Sequence, residues 1–186
     1  MNTARNPQSC WRVFVALWPP RSVQRQMFLL GHRLQRYAER ARLVPAERLH
    51  LTLAFIGTVV PASAVEVARK LRTLDSPPFE WVLDRIGYFA GAQVVWLGGE
   101  PIVPLISCAG AVREALQCMN IAFDNRPFVP HVTLLRDVTG WKGDQAAPCT
   151  EAIVWRCHRP ILVRSEQVAG SFRYVPVTDN PAGISE

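Results

Sequence analysis

The sequence predicts an α+β fold in which a single strand–helix–strand plan is used twice. Three observations carry this. Segments of strand period and helix period alternate along the chain, and the order strand, helix, strand recurs in its two halves. At the matching point of each half stands a near-identical tetrapeptide, His50-Leu51-Thr52-Leu53 and His131-Val132-Thr133-Leu134. With 186 residues, 49% of them hydrophobic, the chain can bury one compact core, either as one domain or as two small lobes that share it.

The first strand is expected at 12–17, where Val13, Val15 and Leu17 alternate with Arg12, Phe14 and Ala16 and Pro19-Pro20 stops the run. A helix over 22–40 follows from the three- and four-residue spacing of Val23, Met27, Leu30 and Leu34. Strands are expected at 42–44 and 49–56, the second ended by Gly57. A second helix over 62–74 rests on Val65, Ala68, Leu71 and Leu74 and stops before Ser76-Pro77-Pro78. Residues 79–89 read as a long strand, Gly91 as a turn, and 94–97 as a short strand closed by Gly98-Gly99. The third helix, 104–119, places Leu105, Cys108, Val112, Leu116 and Met119 on one side, with Asn120 suited to cap its end. A strand is expected at 129–135, then a polar loop at 141–148, closing strands at 153–157, 161–165 and 172–177, and a mobile tail from Thr178.

Composition narrows the class. The charged fraction of 19% and the hydrophobic content give no sign of disorder. The longest uncharged stretch, 86–99, is too short to span a bilayer and holds four glycines, and the apolar run 13–18 is too short for a secretory leader. A cytoplasmic protein with no membrane partner is therefore expected. Cys10, Cys108, Cys118, Cys149 and Cys157 are odd in number and match neither zinc-site nor disulfide spacing, so free thiols are expected. The net charge of +6 favours an anionic partner without choosing among nucleic acid, nucleotide and membrane surface.

The repeated motif carries the chemistry. On a strand, residues two apart face the same way, so each copy presents one imidazole and one hydroxyl on one face and turns Leu51, Leu53, Val132 and Leu134 toward a core. One neutral imidazole can take a proton from water, and one protonated imidazole can give a proton to a departing ribose oxygen. The Thr52 and Thr133 hydroxyls can donate to non-bridging phosphate oxygens, where charge builds in the transition state. A five-membered cyclic phosphate is strained, so neither metal nor cofactor is expected. In random sequence, apolar-Thr-Leu follows a given histidine about once in several hundred cases. Here two of four histidines have it, against the competing reading of two strand histidines bonded to backbone.

These residues resemble the 2H phosphoesterase superfamily and, within it, the bacterial RNA 2′,3′-cyclic phosphodiesterase family, also known as 2′-5′ RNA ligases. The similarity runs through Arg12-Val13-Phe14-Val15-Ala16-Leu17-Trp18-Pro19, through Val44-Pro45-Ala46-Glu47-Arg48-Leu49 and His50-Leu51-Thr52-Leu53-Ala54-Phe55-Ile56-Gly57, and through Leu83-Asp84-Arg85-Ile86-Gly87-Tyr88-Phe89. It continues in Val95-Trp96-Leu97-Gly98, Pro130-His131-Val132-Thr133-Leu134-Leu135-Arg136 and Ile161-Leu162-Val163-Arg164-Ser165. The resemblance implies one bilobal domain over 1–186: two pseudo-symmetric lobes of mainly antiparallel sheet, helices outside, and an active-site cleft between them. It implies His50 as proton donor, His131 as proton acceptor, substrate contacts from Thr52, Thr133 and Arg136, and hydrolysis of RNA or nucleotide cyclic phosphate ends to 2′-phosphate by a monomer. Ligation of 2′-5′ linkages is the reverse step. Two positions depart from the family. Leu43 stands where an aromatic residue is common, and Val175-Pro176-Val177 replaces an aromatic close.

Arg136 lies five residues after His131, so strict alternation turns it away; it reaches the cleft only if the strand ends or bulges near Leu135. Arg33, Arg36, Arg40, Arg42 and Arg48 either track an RNA backbone or form a solvated face. His32 and His158 lack the threonine and read as structural or exposed, while Trp81, Tyr88, Phe89 and Trp96 read as core. Phe128 lines the cleft or joins the core, and a metal site from His50, His131 and Asp137 is the weakest option. Two rival functions remain: a non-catalytic nucleotide- or RNA-binding module, and the same chemistry on another small cyclic phosphodiester.

Overall fold

The computed structural model describes residues 10–143, 148–168 and 170–178. The expected tail beyond Thr178 and residues 144–147 of the expected polar loop lie outside them. Nine strands and three α-helices are present among the described residues: β1 Trp11–Leu17, α1 Arg21–Leu34, β2 Arg40–Leu43, β3 Leu51–Val59, α2 Pro61–Arg72, β4 Phe79–Phe89, β5 Val94–Gly98, α3 Val103–Cys118, β6 Val132–Thr139, β7 Pro148–Cys157, β8 Ile161–Val168 and β9 Ser171–Pro176. The strands form one sheet in the order β7-β4-β5-β6-β3-β1-β8-β9, with β2 paired to β6. Every pairing is antiparallel.

The order is symmetric about the β3–β6 junction. β1 flanks β3 in one lobe as β5 flanks β6 in the other, which are the two copies expected from the sequence. The helices cross between lobes. α1, which follows β1, packs against β6 and β7, and α3, which follows β5, packs against β3. Val13, Val15 and Leu17 of β1, Met27 of α1, Leu51 and Leu53 of β3, Leu105 and Val112 of α3, and Val132 and Leu134 of β6 meet in one buried core on the helix side of the sheet.

Several boundaries differ from expectation, each for a physical reason. The first helix stops at Leu34 rather than at 40; a 3-10 turn at Gln35–Tyr37 follows, and Arg40–Leu43 joins the sheet. No glycine or proline marks that stop, because β2 is ordered by β6, nearly a hundred residues away. On α2 the buried face is Ala64, Val67, Ala68 and Leu71, while Val65 and Leu74 are only half-buried. The α3 stop falls where expected: Asn120 takes a left-handed φ of 53°, and the Asn120 and Ile121 amides return to the Gln117 and Leu116 carbonyls.

Candidate active site

Both motif strands begin later than expected, at Leu51 rather than 49 and at Val132 rather than 129, so each histidine stands at a strand mouth, one residue before its strand. Pro130 has no amide hydrogen to extend the second ladder backwards. Leu51 pairs with Val132 at the centre of the sheet. Carried one residue either way, that antiparallel register sets His50 across from Thr133 and Thr52 across from His131. Same-face diagonal neighbours in such a ladder lie about 7–8 Å apart, a span that one phosphate group fills.

The two imidazoles are held alike. His50 Nδ1 lies 2.6 Å from the Arg48 carbonyl and His131 Nδ1 lies 2.7 Å from the Val129 carbonyl, in each case two residues back. A carbonyl only accepts, so Nδ1 carries the hydrogen of the neutral ring and Nε2 is left to take or give a proton. Burial pulls the His50 pKa from 6.5 down to about 4, against the raising effect of the Arg48 carbonyl, and the positive charge of Arg136 and the neighbouring His131 push the same way. Burial, then Arg136, lowers His131 as well. One guanidinium therefore acts electrostatically on both rings.

Arg136 reaches this face because the strand bulges. Trp96 pairs with Thr133, but the next residue back on β5, Val95, pairs with Leu135. Leu134 is thus the extra residue; Leu134 and Leu135 are both buried, and Arg136 emerges on the side of His131 and Thr133. The first lobe repeats the device. Ala16 pairs with Thr52 and Val15 with Ala54, so Leu53 is extra, and Phe55 takes the place corresponding to Arg136 with the Arg12 guanidinium 5.1 Å from its ring centre.

Aromatic side chains wall the imidazoles. The His50 ring stacks on Trp18 at 5.2 Å and 4°, meets Phe14 at 4.8 Å, and stands edge-on to Tyr174 at 5.4 Å. His131 meets Phe89 at 5.1 Å and Trp96 at 6.3 Å. The expectation that Phe89 and Trp96 are core is therefore corrected: both are half-buried on the His131 side, whereas Trp81 is core and Tyr88 packs against it. Trp96 lies flat over Gly87 and Gly98, where any Cβ would collide with its indole. The roles of Phe14, Trp18 and Tyr174 were missed, although the alternation along β1 already placed Phe14, Ala16 and Trp18 on the face opposite the core. Tyr174 gave no such signal, since β9 joins this lobe only through β8.

The remaining candidates disperse. Asp137, weighed as a metal ligand, instead accepts a hydrogen bond from Arg42 at 2.7 Å. Arg33 pairs with Glu151, Arg36 bonds the Arg33 carbonyl, and Arg48 reaches the Phe172 carbonyl. His32 and His158 are exposed, and Phe128 packs against the core under Arg113. Cys10, Cys108, Cys118 and Cys157 are free thiols.

Comparison with known proteins agrees with this geometry. The sequence model described as LigT like Phosphoesterase matches residues 17–96. The chain is 35% identical over 130 residues to the RNA 2′,3′-cyclic phosphodiesterase of Escherichia coli K12, covering 69% of this chain and 73% of that one. It is 31% identical over 130 residues to the Thermotoga maritima protein of the same name, covering 67% and 69%. The crystal structure of E. coli LigT complexed with 3′-AMP superposes with a TM-score of 0.79 at 29% identity over 91% of this chain and 97% of that one, and its apo form gives 0.78. On sequence and architecture together, the chain belongs to the LigT-like phosphoesterase family.

Proposed function

We propose that the protein is an RNA 2′,3′-cyclic phosphodiesterase that uses His50 and His131 as its acid–base pair and requires no metal. The observation that carries this reading is the matched pair of imidazoles, each tied through Nδ1 to the carbonyl two residues back and each under the charge of Arg136. His131 Nε2 takes a proton from water as the water oxygen attacks phosphorus. The bond from phosphorus to the 3′ oxygen breaks, and protonated His50 delivers its proton to that oxygen. The products are a 2′-phosphate and a 3′-hydroxyl. His131 leaves the step charged and His50 neutral, and exchange with solvent restores both. Thr52, Thr133 and Arg136 hold the non-bridging oxygens as their charge grows. With a 5′-hydroxyl end in place of water as the nucleophile, the same groups join a 2′-5′ linkage. His131 takes the proton of that hydroxyl, the bond from phosphorus to the 3′ oxygen breaks, and His50 protonates the departing 3′ oxygen. The reverse step cleaves the linkage back to the cyclic phosphate.

Incubation with a cyclic-phosphate-ended oligonucleotide and with 2′,3′-cyclic mononucleotides in excess chelator, followed by phosphorus NMR, tests this. Conversion to the 2′-phosphate is expected, with His50→Ala and His131→Ala each slowed at least about a hundredfold. Full activity in either variant contradicts the mechanism. Tight nucleotide binding with no turnover of any cyclic phosphate would make the protein a binding module instead.

A further inference from the structure

We propose that Trp18 is a positioning residue for the acid step: its indole, stacked face to face on His50, fixes the plane of the imidazole and favours the protonated ring. The inference rests on the acid role given to His50 above. Three observations support it. Trp18 follows the last residue of β1 and is locked by Pro19-Pro20, so its backbone is stiff where its ring meets the site. The stack is nearly parallel, at 4° and 5.2 Å, and the Tyr174 ring stands edge-on to both partners, at 5.4 Å from His50 and 6.3 Å from Trp18. Phe14 closes another side of the imidazole at 4.8 Å.

The electrostatic surroundings give this stack a task. The charged and titratable groups facing His50 are Arg48 from the preceding turn, His131 from just before β6, Arg136 from β6, and the Tyr174 phenol from β9. Burial and the charges of Arg136, His131 and Arg48 oppose an imidazolium and outweigh the Arg48 carbonyl that favours it, yet a general acid must carry its proton when substrate is bound. An indole face attracts a cation through its quadrupole, more strongly when the contact is desolvated. Trp18 is thus a π-face that steadies the charged ring without adding a carboxylate, which would repel an anionic phosphate.

The test is the His50 titration midpoint read by proton–nitrogen NMR on the substrate-free protein, with the signal assigned by His50→Gln. Trp18→Leu is expected to lower the midpoint by about half a unit to one unit, with Trp18→Phe between it and the native chain. A tryptophan analogue fluorinated on the benzo ring and placed at position 18 keeps the shape while weakening the π-face. It is expected to lower the midpoint too, and it serves where Trp18→Leu fails to fold. In the pH profile of kcat the alkaline limb should move down by the same amount, with KM changed less than twofold. An unmoved midpoint in the fluorinated protein overturns the proposal, as does an unmoved midpoint in a folded Trp18→Leu protein. Because the NMR reading needs no turnover, failure of the assigned activity would show separately, as native protein inert to cyclic phosphates with a normal Trp18 effect on His50.

Discussion

At the scale of single residues, His50, the proposed acid, also bears on stability. Its folded pKa of about 4 lies below the ordinary 6.5, so between those values the unfolded chain binds more protons than the folded one. The stabilising effect is complete above pH 6.5 and is lost as pH falls toward 4, at up to about 1.4 kcal/mol per pH unit. Urea unfolding at a series of pH values should show this slope, flattened in His50→Gln. The same shift separates two rate profiles. Since kcat/KM reports the free enzyme, its optimum is expected on the acid side of 6.5; kcat, which reports the complex, should peak at higher pH because bound phosphate raises both imidazoles. Coincident optima would mean that the phosphate does not sit between the rings. The His-Thr pairs were legible in the sequence because period-two alternation is a local rule. The Trp18 stack was half-legible, since β1 alternation gives the face but not what lies above it. Tyr174 was not legible, being brought in by a strand more than 120 residues away from His50.

At the scale of elements, the bulges after Thr52 and Thr133 decide which side chains share the face of the two histidines. They reconcile the position of Arg136 with strand geometry, and they put Phe55 at the corresponding place in the other lobe. A bulge of this kind has no glycine or proline signature, so sequence reasoning could state the need for one near Leu135 but not where it falls. The Trp96 wall depends on two glycines in neighbouring strands, Gly87 of β4 and Gly98 of β5. Gly87→Ala is expected to lift the indole, destabilise the fold by about 1–3 kcal/mol and slow turnover through His131. Thermal unfolding with parallel phosphorus NMR assays checks this, and native stability with native rate would show that the indole has room to move.

Across the whole molecule, the two lobes share one sheet and one main buried core. β2 leaves the first copy to pair with β6, while α1 and α3 each cover the opposite lobe. These exchanges were invisible in the sequence, where each helix reads only as an amphipathic segment between its own two strands. The residues of the proposed site all come from one chain, drawn from both lobes. Residues 10–78 and 79–178 expressed separately are expected to be unfolded by circular dichroism. The intact chain should unfold in a single transition by tryptophan fluorescence and by circular dichroism alike. A folded half, or two separated transitions, would show that the lobes are independent.

The most direct measurement is a crystal structure with a 2′-nucleotide, the product of the proposed reaction, bound. The expected result is one phosphate group between the lobes, with the Nε2 atoms of His50 and His131 each about 2.6–3.2 Å from its oxygens and Arg136 against the same group. A phosphate held by one imidazole alone, or bound outside the space between the two strand mouths, would contradict the account.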